Sequence, residues 1–252
     1  MSAPPTEQAV VPGGVSAGAA ATLLQVADLH AFYGESHILH GISFAVNKGE
    51  LVTLLGRNGA GRTTTLKSIL GLVGKRSGSI ALNGREIIAT PTHKIARLGI
   101  GYCPEERGIF ASLSCEENLL LPPETEQGGM PLSEIYEMFP NLKERKASPG
   151  MRLSGGEQQM LAMARILRTG AKLLLLDEIS EGLAPVIVQT LAKVLRQLKE
   201  RGYTIVLVEQ NFHFAAPIAD RHYVLENGKI VMMIEARDLN SKMNKLHEYL
   251  GV

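Results

Sequence analysis

The chain has 252 residues and carries 26 lysines and arginines against 25 aspartates and glutamates, so its net charge of +1 gives no general reason to expect nucleic acid or an anionic membrane surface as a partner. Its length allows one large α/β domain or one domain with a small insertion, and we favour the second. The two cysteines, Cys103 and Cys115, match no metal or redox spacing, and no apolar run approaches the roughly 20 residues that cross a bilayer.

The first 22 residues differ in composition from the rest of the chain. They are rich in alanine, proline, glycine and valine, and they lack the basic start and continuous apolar segment of a signal peptide. We therefore interpret residues 1–22 as a flexible tail and residues 23–252 as one folded domain.

A glycine-rich loop follows the apolar run at 51–55 and leads into a helical pattern. Strand, glycine loop and helix in this order are the context of a P-loop, whose backbone amides face phosphates at the positive end of a helix. The Thr63 hydroxyl can bind Mg²⁺. The residues that we assign to phosphate binding are Gly56, Arg57, Asn58, Gly59, Ala60, Gly61, Arg62, Thr63 and Thr64.

Arg62 stands where a P-loop has lysine. Arginine keeps the positive charge, but its planar guanidinium lies on a longer stem and does not replace a compact ammonium. Since arginine can bind phosphate bidentately, we expect ATP binding to survive and turnover to be lower than with lysine. The alternative is an arginine that merely begins a surface helix.

Hairpins and a helical insertion are predicted beside the nucleotide motifs. Asn83-Gly84 and Asn227-Gly228 stand between strand-like runs and predict antiparallel ribbons. Helix-like stretches at 116–121 and 133–139 are separated by a Pro-Pro and a Gly-Gly pair. We predict an inserted helical subdomain at about residues 106–152.

A hydroxyl and two glycines, Ser154, Gly155 and Gly156, begin another helical pattern. Such a helix start leaves backbone amides open to an anion, although a serine cap after a glycine turn is the simpler interpretation of these residues alone. Further along, four leucines at 173–176 end in Asp177 and Glu178. Hydrolysis of a triphosphate needs such a pair, because charge must be neutralised while a water is activated.

Four short apolar runs, at 51–55, 173–176, 204–208 and 223–225, do not alternate with polar residues. This pattern is typical of strands covered on both faces and predicts a parallel sheet. The helical pattern at 186–201 ends before Gly202, and the next run completes a β-α-β step.

Together these motifs resemble those of the ATP-binding cassette (ABC) ATPases over about residues 23–251. The Pro104-Glu105 and Glu209-Gln210 pairs resemble variants found in ATP-binding subunits of branched-chain amino-acid importers. The resemblance implies an α/β P-loop NTPase fold that has a mostly parallel sheet, an antiparallel β subdomain and an inserted helical subdomain.

The resemblance also implies roles for the acidic and amide residues. Asp177 holds Mg²⁺ and Glu178 acts as general base. Glu105, where most relatives have glutamine, can ligate Mg²⁺ but repels phosphate if unpaired. Gln210, where most have histidine, can hydrogen-bond the γ-phosphate or water but cannot titrate.

Two further contacts with ATP are implied. Tyr33 matches the aromatic residue that stacks on adenine, with a packing tyrosine as the alternative. Ser154, Gly155 and Gly156 match the corner that contacts the γ-phosphate of an ATP held mainly by a second subunit.

By resemblance, the chain is expected to hydrolyse ATP with Mg²⁺ at the cytoplasmic face of the inner membrane. Its expected partners are a second cassette, two membrane permease subunits and, indirectly, a periplasmic solute-binding protein. The solute is expected to be a branched-chain or related amino acid. A regulatory subunit with little turnover and an importer of urea or amides remain alternatives. ATPases of DNA repair and chromosome organisation share the signature, but they usually separate the two phosphate motifs with long coiled coils. They are disfavoured here, because Arg62 and Leu153 are only 91 positions apart.

Overall fold

A computed structural model describes residues 21–123 and 128–251. Four strands form an antiparallel sheet in the order β2-β1-β4-β5, with bounds β1 Thr22–Tyr33, β2 Ser36–Asn47, β4 Lys75–Leu82 and β5 Arg85–Glu86. Strand β1 begins at Thr22, the last residue of the predicted tail. Most of that tail, residues 1–20, lies outside the described residues, so its flexibility stays a prediction.

Six strands form the second sheet, in the order β10-β9-β3-β8-β7-β6. Five of them are parallel, and only β10 is antiparallel to its neighbour. The predicted parallel sheet is confirmed, with each of the four apolar runs inside a strand. The bounds are β3 Leu51–Gly56, β6 Ile100–Cys103, β7 Leu173–Asp177, β8 Thr204–Glu209, β9 Arg221–Glu226 and β10 Lys229–Glu235.

Alternate residues of the central strands enter two different cores. Leu51 and Leu55 of β3 pack with the larger helical core, whereas Val52 and Leu54 pack on the opposite face, toward the antiparallel sheet. Because both faces are buried, every position of these strands is apolar or hydrogen-bonded, which explains the absence of alternation in the sequence.

The helices are α1 Arg62–Ile69, α2 Thr92–Ile95, α3 Cys115–Leu120, α4 Leu132–Met138, α5 Pro140–Glu144, α6 Gly155–Arg168, α7 Pro185–Glu200, α8 Phe212–Ala215 and α9 Leu239–Leu250. Two 3-10 turns lie at Gly150–Arg152 and Ala236–Asp238. Within the described parts of the chain, no helix combines the length and apolar character that a membrane crossing requires.

Both predicted hairpins are present. Asn83 and Gly84 have φ values of 50° and 76°, and Asn227 and Gly228 have 47° and 73°. Two successive left-handed residues match the twist of the flanking strands, which asparagine and glycine tolerate best. The first turn joins β4 to β5, and the second adds β10 to the edge of the parallel sheet.

The segment predicted as a helical subdomain packs on α6. Buried side chains of α3, α4 and the start of α5, including Leu119, Ile135 and Leu142, share one core with Met160 and Met163 of α6. The helices predicted at 116–121 and 133–139 are each observed within one residue. Helix α5 was not predicted, although Pro140 at its first turn is a common start signal. Residues 124–127 of this segment lie outside the described residues.

Strands β3, β6, β7 and β8 end at the same edge of the sheet because they are parallel. The loops that follow Gly56, Cys103, Asp177 and Glu209 therefore lie together, and this edge is where ligands bind in open α/β sheets.

His222 lies fully buried in β9, with its Nδ1 atom 2.7 Å from the Thr53 hydroxyl. Its Nε2 atom is buried and has no hydrogen-bond partner in the described structure. Burial lowers the pKa of His222 to about 4, although the charge of Asp220 opposes this shift. A proton on this ring would bring an uncompensated charge into the core.

We expect the free energy of unfolding to fall as the pH is lowered from 6.5 to about 4, because unfolded His222 binds a proton at a higher pH than folded His222. At about pH 4, the loss of unfolding free energy that this side chain causes approaches about 3 kcal/mol. Urea unfolding at a series of pH values measures it. In His222→Gln, which retains a polar partner for Thr53, the free energy of unfolding should fall less between pH 6.5 and about 4. An equal fall in both proteins would contradict the assignment.

Candidate active site

The predicted phosphate loop connects β3 to α1, and its backbone lies close to neighbouring residues at two of its glycines. Gly61 precedes α1 with φ of 100° and supplies no side-chain cap, so the helix amides are not covered by a capping group. A Cβ added to Gly61 would lie 2.7 Å from Leu39 Cδ2, and one on Gly56 would lie 2.5 Å from the Leu225 carbonyl oxygen. Only glycine fits at both positions, and the open helix start suits an anion.

Arg62 does not extend over the surface, as the structural alternative required. Its Nη2 atom donates to Glu178 Oε1 at 2.7 Å and to Asn58 Oδ1 at 3.1 Å. The side chain of Arg62 is only 4% exposed and that of Glu178 only 11%. The loop cation is therefore paired with the carboxylate predicted to be the general base.

The second terminal nitrogen of Arg62, Nη1, is buried and has no hydrogen-bond partner among the described residues. An unpaired buried donor on a cation is costly unless a ligand satisfies it. A phosphate oxygen is the chemical group that fits this donor at the start of a helix. The loop therefore suits a nucleotide despite the substitution of lysine.

Glu178 combines an unusual backbone with an altered acidity. Its φ of 49° lies in the left-handed region, which is uncommon for glutamate. Burial raises the pKa of Glu178, and the nearby carboxyl groups of Glu181 and Glu105 raise it further, whereas the Arg62 guanidinium opposes the rise. A carboxylate with raised basicity suits a proton acceptor.

Asp177 ends β7 between two hydroxyl groups. Thr63 donates to its Oδ1 atom at 2.9 Å, and Tyr102 donates to its Oδ2 atom at 3.1 Å. Burial and Asp177 raise the pKa of Tyr102, which keeps this phenol protonated as a donor. Carboxylate and hydroxyl oxygens are the donors that Mg²⁺ prefers, so Thr63 and Asp177 fit the predicted metal role. Tyr102 was missed, although it immediately precedes Cys103 at the end of β6.

Glu105 influences the pKa of Glu178 by its charge, and its predicted contact with Mg²⁺ has no support in the described residues. It is exposed after β6, and its charge raises the pKa of Glu178. Within residues 21–123 and 128–251, no hydrogen bond joins Glu105 to Thr63 or Asp177. Its predicted role at Mg²⁺ therefore stays a prediction without a supporting contact.

The serine and glycines at the start of α6 form a capped and tightly packed helix N-terminus. The Ser154 hydroxyl accepts from the Glu157 amide, while the Ser154 amide donates to Glu157 Oε2 at 2.7 Å. A Cβ on Gly156 would lie 2.9 Å from Ile187, and one on Gly155 would lie 3.3 Å from Arg107 Nη2. This corner is thus a structural cap that has a guanidinium beside it, and its predicted contact with an ATP phosphate stays a prediction. Arg107 was not predicted, and no sequence pattern pointed to it.

Cys103 and Cys115 are free and buried, and burial raises the pKa of their thiols to about 12 and about 11. They are packing residues, as the sequence indicated.

Thr64 is also buried, and its carbonyl accepts from the Ser68 hydroxyl.

Tyr33 and Gln210 are both accessible. Tyr33 ends β1 with 48% of its surface exposed, so it is not the packing tyrosine of the alternative interpretation. Gln210 follows β8 and lines, together with Glu178, an open cleft of about 1080 Å³. This cleft extends between α7 and α8, beside the phosphate loop rather than over it.

The sequence of residues 39–181 matches the model of a family described as ABC transporter. The chain is 42% identical to the high-affinity branched-chain amino acid transport ATP-binding protein BraG of Pseudomonas aeruginosa, over 91% of this chain and 100% of that protein. It is 36% identical to the probable branched-chain amino acid transport ATP-binding protein LivF of Archaeoglobus fulgidus, over 89% and 98%.

The chain is also 34% identical to the lipopolysaccharide export system ATP-binding protein LptB of Haemophilus influenzae, over 91% of this chain and 98% of that protein. Among solved structures, a nucleotide-free ATP-binding cassette from an ABC transporter superposes with a TM-score of 0.80 at 22% identity, over 92% of this chain and 99% of that chain.

Arg62→Lys is expected to raise the rate of ATP hydrolysis about tenfold, because a compact ammonium would no longer hold Glu178 by a charge-assisted bond worth ~1.5 kcal/mol. Steady-state hydrolysis and nucleotide binding measure the effect. Arg85→Lys, at an exposed position of β5, controls for a general effect of this exchange. If Arg62→Lys is no faster than the unchanged protein, the pair with Glu178 does not limit turnover.

Glu178→Gln is expected to abolish hydrolysis while tightening the binding of Mg²⁺ and ATP several-fold, since Arg62 then has no competing carboxylate. A fluorescent nucleotide titration measures the affinity. Glu181→Gln removes a neighbouring charge that is not bonded to Arg62. Equal tightening in both variants would show that general repulsion, and not the ion pair, governs affinity.

Proposed function

Because the chain belongs to the ABC transporter family of ATP-hydrolysing cassettes, we propose that it is the ATP-binding subunit of an importer for branched-chain or related amino acids. The observation that carries ATP hydrolysis is the contact of the Thr63 hydroxyl with Asp177, one residue away from the Arg62–Glu178 pair. A phosphate-binding group, a pair of metal ligands and a proton acceptor thereby share one edge of the sheet. The sequence identity of 42% to BraG, which extends over that protein's full length, supports the solute class.

In this proposal the residues of the loop divide the work of hydrolysis. The amides at 56–64 and the Arg62 guanidinium bind the phosphates, while Thr63 and Asp177 hold Mg²⁺, which neutralises phosphate charge when bound. Glu178 Oε1, after exchange from Arg62 Nη2, accepts a proton from the attacking water. Tyr33 stacks on adenine, and the Gln210 amide hydrogen-bonds the γ-phosphate or that water.

A second cassette completes the site. No hydrogen bond between described residues joins Ser154, Gly155 or Gly156 to the phosphate loop of the same chain. In the proposed head-to-tail dimer, the corner at α6 of one subunit contacts ATP on its partner. The partner is the same chain or a related one.

Two permease subunits are the proposed membrane partners. Exposed apolar side chains gather around the helical segment near Glu105, which supports it as the docking surface; they are Phe110, Leu120, Leu121 and Met151. A periplasmic solute-binding protein acts on the far side, and the cassette lies peripherally at the cytoplasmic face of the inner membrane. The chain's charge balance supports no nucleic-acid partner.

A regulatory cassette with little turnover is the second candidate, and the Arg62–Glu178 ion pair favours it. A pair that binds the general base to the phosphate-binding cation must exchange before hydrolysis. The two candidates share nucleotide binding and differ in the rate of the chemical step.

Reconstitution with two membrane permease partners tests the proposal. We expect ATP hydrolysis and uptake into proteoliposomes to require a binding protein loaded with leucine, isoleucine or valine, and Glu178→Gln to abolish both. Uptake of urea or amides instead would contradict the amino-acid class. Nucleotide binding without stimulated hydrolysis would identify the regulatory subunit, and outward movement of lipid would contradict import.

A further inference from the structure

Glu209 is a buried carboxylate at the end of β8, and none of the roles described so far uses it. Its residue is only 2% exposed. The Ser180 amide donates to Oε1 at 3.0 Å, and the Ser180 hydroxyl donates to Oε2 at 2.9 Å. Hydrogen bonding from the Asn211 amide adds to these contacts. A buried carboxylate is costly to maintain unless its oxygens are satisfied, and here both oxygens receive bonds from one residue.

These contacts fix the backbone on both sides of Glu178. On one side, the Glu178 amide donates to the Val208 carbonyl at 2.9 Å. Two residues later, Ser180 is held by Glu209 through its amide and its hydroxyl. Glu178 itself has φ of 49°, a conformation that costs glutamate about 1 kcal/mol and persists only where the surroundings enforce it.

The position of β8 in the sheet makes this clamp effective. Strand β8 lies between β3 and β7, so Glu209 pairs in register with Leu55, one residue before the phosphate loop, while Val208 pairs with Asp177. The next residue after Glu209 is Gln210. One side chain thus connects the loop that carries Glu178 to the strand end that carries Gln210.

We infer that Glu209 is a positioning residue for ATP hydrolysis, which holds Ser180 so that Glu178 keeps the backbone conformation from which its carboxylate reaches the attacking water. This inference rests on the proposed function. Burial raises the pKa of Glu209 to about 7, and the bonds from Ser180 and Asn211 and the charge of Arg62 favour its ionised form.

The test separates the rate of hydrolysis from nucleotide affinity. Glu209→Ala is expected to lower kcat about 10- to 100-fold, as a small displacement of a reacting group does, while the Kd for Mg²⁺ and ATP changes by less than about twofold. Glu209→Gln retains an acceptor for the Ser180 amide and offers its own amide to the Ser180 hydroxyl. It is therefore expected to restore kcat to within about threefold of the unchanged protein.

Substitution of Ser180 tests whether Glu209 acts on kcat through Ser180, which a purely structural role would not predict. Ser180→Ala should lower kcat about threefold with Kd unchanged, and in Ser180→Ala the further effect of Glu209→Ala should be smaller than in the unchanged chain. Should Glu209→Ala not fold, the Ser180→Ala and Glu209→Gln variants decide the matter. Unchanged kcat in Ser180→Ala, or in a folded Glu209→Ala, would overturn the inference.

Glu50→Gln is the matched control. Glu50 is also a largely buried carboxylate, but it pairs with Arg221 at the opposite end of the sheet. Its substitution is expected to lower the melting temperature without changing kcat. If kcat falls equally in Glu50→Gln and Glu209→Ala, lost stability explains both. Absence of hydrolysis in the unchanged, reconstituted protein would instead contradict the proposed function.

Discussion

The rest of the structure depends on the burial of five parallel strands on both faces of their sheet. Parallel strands require crossovers, the faces of the sheet are covered by helices and by the antiparallel sheet, and the strand interiors are therefore largely apolar, with hydrogen-bonded exceptions such as Thr53 and His222. Because all five strands end at one edge, the polar groups just beyond these ends lie together. The phosphate loop, the acidic pair and the segments after β6 and β8 are consequently brought together from positions spread over some 150 residues of chain.

At that edge, burial rather than proximity alone sets the electrostatics. Arg62 and Glu178 are nearly excluded from solvent, so their ion pair is desolvated and little screened. Such a pair gains strength from the low dielectric but leaves Arg62 Nη1 without a hydrogen-bond partner in the described part of the chain. The arrangement is satisfied only in part by the chain itself, which is the physical basis for an anion entering and displacing the carboxylate. The same burial raises the pKa of Glu178 and suits it to accept a proton.

Rigidity at this edge comes from hydrogen bonds that the motifs themselves do not contain. Asp177 is held by hydroxyls from α1 and β6, the start of α6 is held by the Ser154–Glu157 capping box, and the loop after β7 is held by Glu209. Each contact joins an element to a neighbour in the sheet or to its own first turn. Side chains on these loops thereby acquire fixed positions from regular structure.

The sequence by itself determined the features that depend on short-range chemistry. Several local patterns predicted elements that are observed. They are the glycines at 56, 59 and 61 before a helix, the hydroxyl-Gly-Gly helix start at 154–156, the leucine run that ends in Asp177 and Glu178, and the two Asn-Gly turns. The family and its P-loop fold were predictable for the same reason. Helix α5 was missed because it is only five residues long and follows α4 without a separating turn.

Only the tertiary structure decided which side chains meet. The pairing of Arg62 with Glu178, the two hydroxyls on Asp177, the guanidinium of Arg107 beside Gly155, and the clamp of Ser180 by Glu209 all join residues that are 29 to 116 positions apart or lie in neighbouring elements. Sequence spacing carries no information about such contacts, because they depend on strand order and on the register between strands. Those two properties arise only when both faces of the sheet are buried together.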